Sequence, residues 1–184
     1  MPDLANKKVA VLTTNGVEEA EIKEPVAALR QAGAIVRVFS IDGGSVQTMK
    51  HDEKNDTMQS DGRISDARPD EFDALLLPGG VLNADKLRMD EDARKFVRRF
   101  DDQHKTIAAI CHAPWLLVSA GLIRNRTLTS YYTLQDDVRN AGGNWVDMEV
   151  YQDGNLITSR FPRDIPAFSA KIKDALSKVP ATPR

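Results

Sequence analysis

The sequence predicts an α/β fold with a mostly parallel central sheet and helices on both faces. Three observations predict it. Short apolar runs alternate with segments of helical period, two of those runs end in motifs that suit the carboxyl edge of a sheet ("PGG" and "ICH"), and 184 residues with 41% hydrophobic content fit one domain around one core. The element order follows directly. "KKVAVLTT" reads as a strand, and "EEAEIKEPVAALRQAG" as a helix stopped at Gly33. "AIVRVFSID" is the next strand, whereas residues 43–72 are polar and turn-rich, which suits short strands at an edge. "DALLLPGG" is a continuous apolar strand, followed by the amphipathic helix "DEDARKFVRRFDDQHK" with acids at its start. "TIAAIC" is a buried strand, "HAPWLLVSAGLI" an apolar helix, and "TLQDDVRNAGG" a polar helix with a glycine end. A hairpin around Asp153 and Gly154 and the helix "IPAFSAKIKDALSKV" complete the chain, leaving "PATPR" as a tail expected to fray.

Composition narrows the partners. With 25 basic and 27 acidic residues the formal net charge is -2, so no global positive field favours nucleic acid or an anionic membrane. A small molecule or a protein is the expected partner. A single cysteine forms no intramolecular disulfide, the amino-terminal stretch lacks a signal-like apolar segment, and no apolar run approaches the roughly 20 residues of a membrane span. The expected setting is a reducing cytoplasm. No paired Cys spacing or His-x-x-x-His supports a metal site, and "DGG" and "PGG" lack a nucleotide fingerprint, so neither metal nor cofactor is expected.

The chemistry concentrates at the two strand ends. Cys111, the only cysteine, lies where "TIAAIC" meets the next helix, with Ala109 and Ala113 two residues to either side. Small flanking residues suit a tight strand-to-helix elbow that presents the sulfur at the sheet edge. There a helix amino end and an imidazolium on His112 would favour the thiolate, although a lone cysteine also serves as a small buried hydrophobe. Gly79 and Gly80 end the neighbouring strand and could join the His112 N–H in an oxyanion hole, or simply make a turn. Glu18, Glu19 and Glu21 open the first helix, where acids complement the helix dipole. One of them could exchange a proton with the thiol, and spacing alone does not choose among the three. Trp115, Leu116 and Trp145 read as core, and His51 and His104 as solvated side chains.

Five ordered motifs carry a family resemblance: "NGVEEAE", "DALLLPGG", "AICHAPWLLVSAGL", "TSYYTLQDDVRNAGGNWVD" and "EVYQDGNLITSR". Together they resemble the PfpI family of the DJ-one/PfpI superfamily, over about residues 7–178. The resemblance implies a flavodoxin-like, class I glutamine amidotransferase-like sandwich with a nucleophile elbow at Cys111. It also implies that His112 is the adjacent histidine, Glu18 the glutamate that hydrogen-bonds the sulfur, Gly80 the oxyanion-hole glycine, and Tyr131 the tyrosine beside the site. Members with peptidase assignments complete a triad with an acid from a neighbouring subunit. Here that acid would be Asp85 if one extra residue precedes it, since an ungapped match lands on Ala84; alone, Asp85 reads as a solvated acid or helix cap. A homodimer or higher homo-oligomer is implied.

Three functions are compatible with these residues. In the first, Cys111 attacks a reactive dicarbonyl or its early adduct, Glu18 shuttles a proton and His112 assists, as in glyoxalase or deglycase relatives. In the second, His112 and Asp85 activate Cys111 for peptide cleavage. In the third, a non-enzymatic stress protein records oxidation at Cys111. A stress role suits all three. Glutamine hydrolysis is excluded, because no histidine follows the Cys111–His112 pair.

Overall fold

In the computed structural model, which describes residues 3–179, β1 (Lys8–Thr13) leads through the short β2 (Val17–Glu18) into α1 (Glu19–Gln31). β3 (Ile35–Ser40), β4 (Ser45–Lys50), β5 (Glu53–Gln59) and β6 (Gly62–Arg63) follow. Next come β7 (Ala74–Leu77), α2 (Val81–Met89), α3 (Glu91–Asp102), β8 (Thr106–Ile110) and α4 (Pro114–Ala120). The last elements are β9 (Thr127–Leu128), α5 (Gln135–Asn140), β10 (Asn144–Trp145), β11 (Val150–Asp153), β12 (Leu156–Ser159) and α6 (Ile165–Ser177). The tail "PATPR" lies outside the described residues.

Seven strands form the central sheet in the order β11-β12-β8-β7-β1-β3-β6. Every neighbouring pair is parallel except β11 with β12, the hairpin at Asp153 and Gly154. The two-residue period of these strands divides the core in two. Ala10, Leu12, Leu75, Leu77, Ile107 and Ala109 face a cluster built with Leu87, Phe96, Phe100 and Leu116, from α2, α3 and α4. Val9, Val11, Ala74, Leu76, Ala108 and Ile110 face the other way, onto Ile22 and Leu29 of α1 and Phe168 and Ile172 of α6. Each strand is therefore apolar on both faces, which is why it reads as a continuous apolar run. Phe100 and Phe168 are fully buried, one in each layer. Each contributes roughly 1.5–3 kcal/mol of transfer free energy.

The structure differs from the sequence expectation after the diglycine and in the polar stretch. A helix, α2, occupies the residues after the diglycine, where "VLNADKLRM" shows no clear apolar stripe. The polar stretch also divides: β6 alone joins the edge of the central sheet, while β4 and β5 form a separate three-stranded sheet with β2, in the order β2-β4-β5. β2 lies parallel to β4, and β4 runs antiparallel to β5 with an irregularity between Gln47 and Met49. This hairpin leans over the carboxyl end of the main sheet and turns at residues 51–52. Among the described residues, no helix is long and apolar enough to cross a membrane.

Candidate active site

Cys111 follows the last residue of β8 with φ 63, in the left-handed region that non-glycine residues seldom adopt. Such a conformation costs on the order of 1–3 kcal/mol, so the surrounding structure must hold it. Two backbone hydrogen bonds do so. The Cys111 N–H donates to the Ser159 carbonyl at 3.1 Å, and the Tyr131 N–H donates to the Cys111 carbonyl at 2.9 Å. Ala109 and Ala113 are both buried, as the elbow requires of its flanks. The sharp turn brings the sulfur to the sheet edge, where Cys111 remains 7% exposed.

The diglycine beside it has two distinct tasks. The Gly80 and His112 N–H groups are directed at the Cys111 sulfur, whereas the Gly79 N–H faces the carboxyl of Glu21. Gly80 has φ 90, and a side chain there would meet the Gly16 carbonyl and the Glu18 N–H. A side chain at Gly79 would run into the Glu21 carboxyl and, at 2.6 Å, into the Cys111 Cβ. The fully buried Asn83 of α2 fixes this loop. Its Nδ2 donates to the Pro78 and Gly79 carbonyls, both at 3.0 Å, and its Oδ1 accepts from the Thr14 N–H at 2.7 Å.

The carboxyl against the sulfur is Glu21, not Glu18. Glu21 is fully buried in the first turn of α1, and burial raises its carboxyl to about 8. The Cys111 thiol and the Gly79 N–H pull it back down, and the Glu18 charge pushes it up. Glu21 therefore holds a proton at neutral pH. Burial likewise pushes the Cys111 thiol up, and an ionised Glu21 would push it further, against the Gly80 and His112 N–H groups. While Glu21 keeps its proton that charge is absent, and its O–H is a donor for the thiolate. The two groups act as one pair with shared protons.

His112 also departs from expectation. Burial lowers its imidazole to about 4, so at neutral pH it is a neutral ring and not an imidazolium that draws the thiol down. Its Nδ1 lies 3.2 Å from the Cys111 Sγ, and its Nε2 lies 3.5 Å from the Thr133 Oγ1. Tyr131 stacks on the ring at 4.6 Å. Trp115, expected in the core, is half-buried and packs edge-on against His112 at 5.3 Å.

Glu18 precedes the helix in extended backbone (φ -66, ψ 121) and points toward the hairpin, where its Oε2 accepts from the His51 N–H at 2.9 Å. A cavity of about 300 Å³ results, lined by Glu18, Glu21, His51, Asp52, Gly80, Val81, Cys111, His112, Tyr131 and Pro162. His51, expected as a merely solvated side chain, thus lies at the mouth beside Asp52, which the sequence did not single out. Asp85 is exposed on α2 and lines no part of this cavity. His104 is exposed at the end of α3, in a positive-φ turn. Among the described residues, no group of three or more His, Cys, Asp or Glu is gathered as a metal would require.

The sequence profile of the DJ-1/PfpI family matches residues 7–175. Protein/nucleic acid deglycase 2 of Escherichia coli (strain K12) is 42% identical over 165 residues, spanning 89% of this chain and 94% of that protein. YraA of Bacillus subtilis (strain 168), whose name carries a cysteine protease assignment, is 39% identical over 164 residues, 89% of this chain and 95% of that one. The crystal structure of Drosophila melanogaster DJ-1beta superposes with a TM-score of 0.85 at 31% identity, covering 94% of this chain and 91% of that one. With a strained cysteine elbow in the matching fold and a profile that spans nearly the whole chain, the protein belongs to the DJ-1/PfpI family.

Proposed function

We propose that the protein is a cofactor-free thiol enzyme that acts on 2-oxoaldehydes and their early adducts, in a stress-protective role. One observation carries the reading: a buried carboxyl held protonated at neutral pH sits against the strained elbow thiol, on the floor of a small cavity. The neutral His112 ring takes the thiol proton at Nδ1, the Cys111 thiolate adds to the aldehyde carbon, and the Glu21 proton goes to the resulting oxyanion, giving a hemithioacetal. Glu21, now a carboxylate, removes the proton from that carbon while the His112 imidazolium protonates the ketone oxygen, and Glu21 then gives its proton to the neighbouring carbon and takes the one lost by the first hydroxyl as the enediol collapses. The product is a 2-hydroxyacyl thioester. Water hydrolyses it to a 2-hydroxy acid and frees the thiol, with the neutral His112 ring at 3.2 Å available as general base. Carbon is oxidised at one position and reduced at the next, so no external redox partner is needed.

The test is methylglyoxal consumption with lactate as product, in buffer free of Tris and added thiols, which scavenge the substrate. Cys111→Ser should abolish turnover, and Glu21→Gln should lower kcat by about 100-fold or more, the range typical of a general acid–base group. Absence of turnover by fully reduced wild type would overturn the reading.

A second reading, peptide cleavage, is favoured by the state of the His112 ring. Nδ1 faces the sulfur, and Nε2 meets only a long contact to Thr133, so it could accept an orienting acid. Asp85 of a second copy would supply that acid. Val81, Leu82 and Met89, exposed on the same helix, would then be the apolar part of the contact between copies.

A further inference from the structure

The mouth of the thiol cavity carries charge of one sign. Glu18 and Asp52 line it, and among the described residues no lysine or arginine does. The nearby cations line an adjoining cavity of about 480 Å³ instead. There Lys23 is paired with Glu19, and Lys50 sits opposite Glu53 across the hairpin. Glu18 is fixed in place: it is 8% exposed and accepts the His51 N–H at 2.9 Å, which also pins the hairpin tip that carries Asp52. The floor offers no countercharge. The Glu21 carboxyl is fully buried and keeps its proton, and the His112 ring beside the sulfur is neutral.

We infer that Glu18 and Asp52 determine specificity: they form an anionic rim that admits neutral and cationic electrophiles to Cys111 and turns away those that carry a carboxylate. Two carboxylates lining the cavity that leads to the sulfur act on every entering anion, and the low-dielectric walls strengthen their effect. The inference rests on the thiol-enzyme reading for its biological meaning. Under that reading a neutral 2-oxoaldehyde enters freely, and its product, a 2-hydroxycarboxylate, is expelled by the same rim. A 2-oxoaldehyde that bears a carboxylate, such as 4,5-dioxopentanoate, would be a poor substrate beside its neutral methyl ester.

The rim can be tested without turnover, because the chain has one cysteine and alkylation is read unambiguously by intact mass. The rates of Cys111 alkylation by neutral iodoacetamide and anionic iodoacetate are compared at about pH 7, where Glu21 keeps its proton, at low salt. The ratio for the same chain unfolded in urea is the reference. The native protein should favour iodoacetamide by about tenfold more than the unfolded chain does. Glu18→Gln keeps an acceptor for the His51 N–H while removing the charge, and Asp52→Asn does the same at the tip. Each should shrink the preference about threefold, as should raising salt to about 0.5 M. A native preference equal to that of the unfolded chain, or one unmoved by both substitutions, would overturn the inference. So would failure of iodoacetamide to reach Cys111 at all. A second comparison, kcat/KM for the neutral methyl ester of 4,5-dioxopentanoate against 4,5-dioxopentanoate itself, separates this proposal from the function it rests on. Loss of all turnover with the alkylation preference intact would sink the enzyme reading and leave the rim standing. Equal use of the two aldehydes would sink the rim and leave the enzyme.

Discussion

Glu18 and Glu21 differ by three positions and end in different regions of one cavity. Glu21 lies inside the first turn of α1 and points down to the floor, where burial holds its proton and the Cys111 thiol is its neighbour. Glu18 stands just before the helix in extended backbone and points to the rim, where it holds the hairpin through the His51 N–H. The floor is made by the ends of β7 and β8 and one helical turn, all fixed by the two core layers. The rim is made by a polar hairpin outside the central sheet. The same side chain is thus a proton carrier in one place and a latch in the other, and the backbone direction at the start of α1 decides which.

Changing the proton carrier should have the largest effect. The folded-state value of Glu21 lies above its unfolded value, so the folded protein binds the extra proton between about pH 4.5 and about pH 8. Stability from this group is present below that window and is lost as pH rises through it. Glu21→Gln does not titrate. Its stability relative to wild type should therefore improve by on the order of 3 kcal/mol from about pH 5 to about pH 8, measured by urea denaturation, while turnover collapses. A pH-independent difference would mean that Glu21 is ionised in the folded protein. Gly79→Ala strikes the same floor by steric overlap with Glu21 and Cys111, and with the Ile110 carbonyl at 2.9 Å. It should cost about 2 kcal/mol at every pH, an overpacking penalty with no proton in it.

The floor was more legible in the sequence than the rim, for reasons that particular residues show. "TIAAIC" and "DALLLPGG" are apolar runs with small residues or glycines at their ends, and such runs announce buried strands and tight exits directly. The choice among Glu18, Glu19 and Glu21 depends on where the helix begins to within one residue. A sequence pattern does not fix that boundary, and resemblance placed the carboxyl beside the sulfur three positions early. The lowered His112 value was equally out of reach, since it comes from burial by Tyr131 and Trp115 after folding. Asn83 gave one usable sign, an amide close behind a strand-end diglycine, but "VLNADKLRM" did not announce the helix that aims it. His51 and Asp52 gave none. Their place over the cavity depends on β4 pairing with β2 rather than with the main sheet, a long-range choice between polar strands.

Glu18→Ala separates latch from proton carrier with a smaller effect. Loss of the acceptor for the His51 N–H should cost about 1 kcal/mol. Hydrogen exchange should rise at the hairpin tip and not at the floor, and kcat/KM should fall about threefold, mainly through KM. Uniform exchange changes across α1 would mean that Glu18 stabilises the helix start instead of the hairpin. The contrast with Glu21→Gln is then one of kind: a binding defect at the rim and a chemical defect at the floor.

The smallest effect is expected at Asp85, and it divides the two readings of the site. Asp85 is exposed on α2, so Asp85→Ala should change stability by less than about 0.5 kcal/mol. Every group the proposed dicarbonyl reaction would use, namely Cys111, Glu21, His112 and the Gly80 N–H, comes from one chain. Methylglyoxal turnover should accordingly stay within about twofold of wild type, since no transition-state contact is removed. A peptidase that needs an acid on the His112 Nε2 would lose cleavage by about 100-fold or more in the same variant, because the ring would no longer be held in the tautomer that takes the thiol proton. Measuring both reactions on one preparation of Asp85→Ala compares a site that is complete within the chain with one that a second copy must finish.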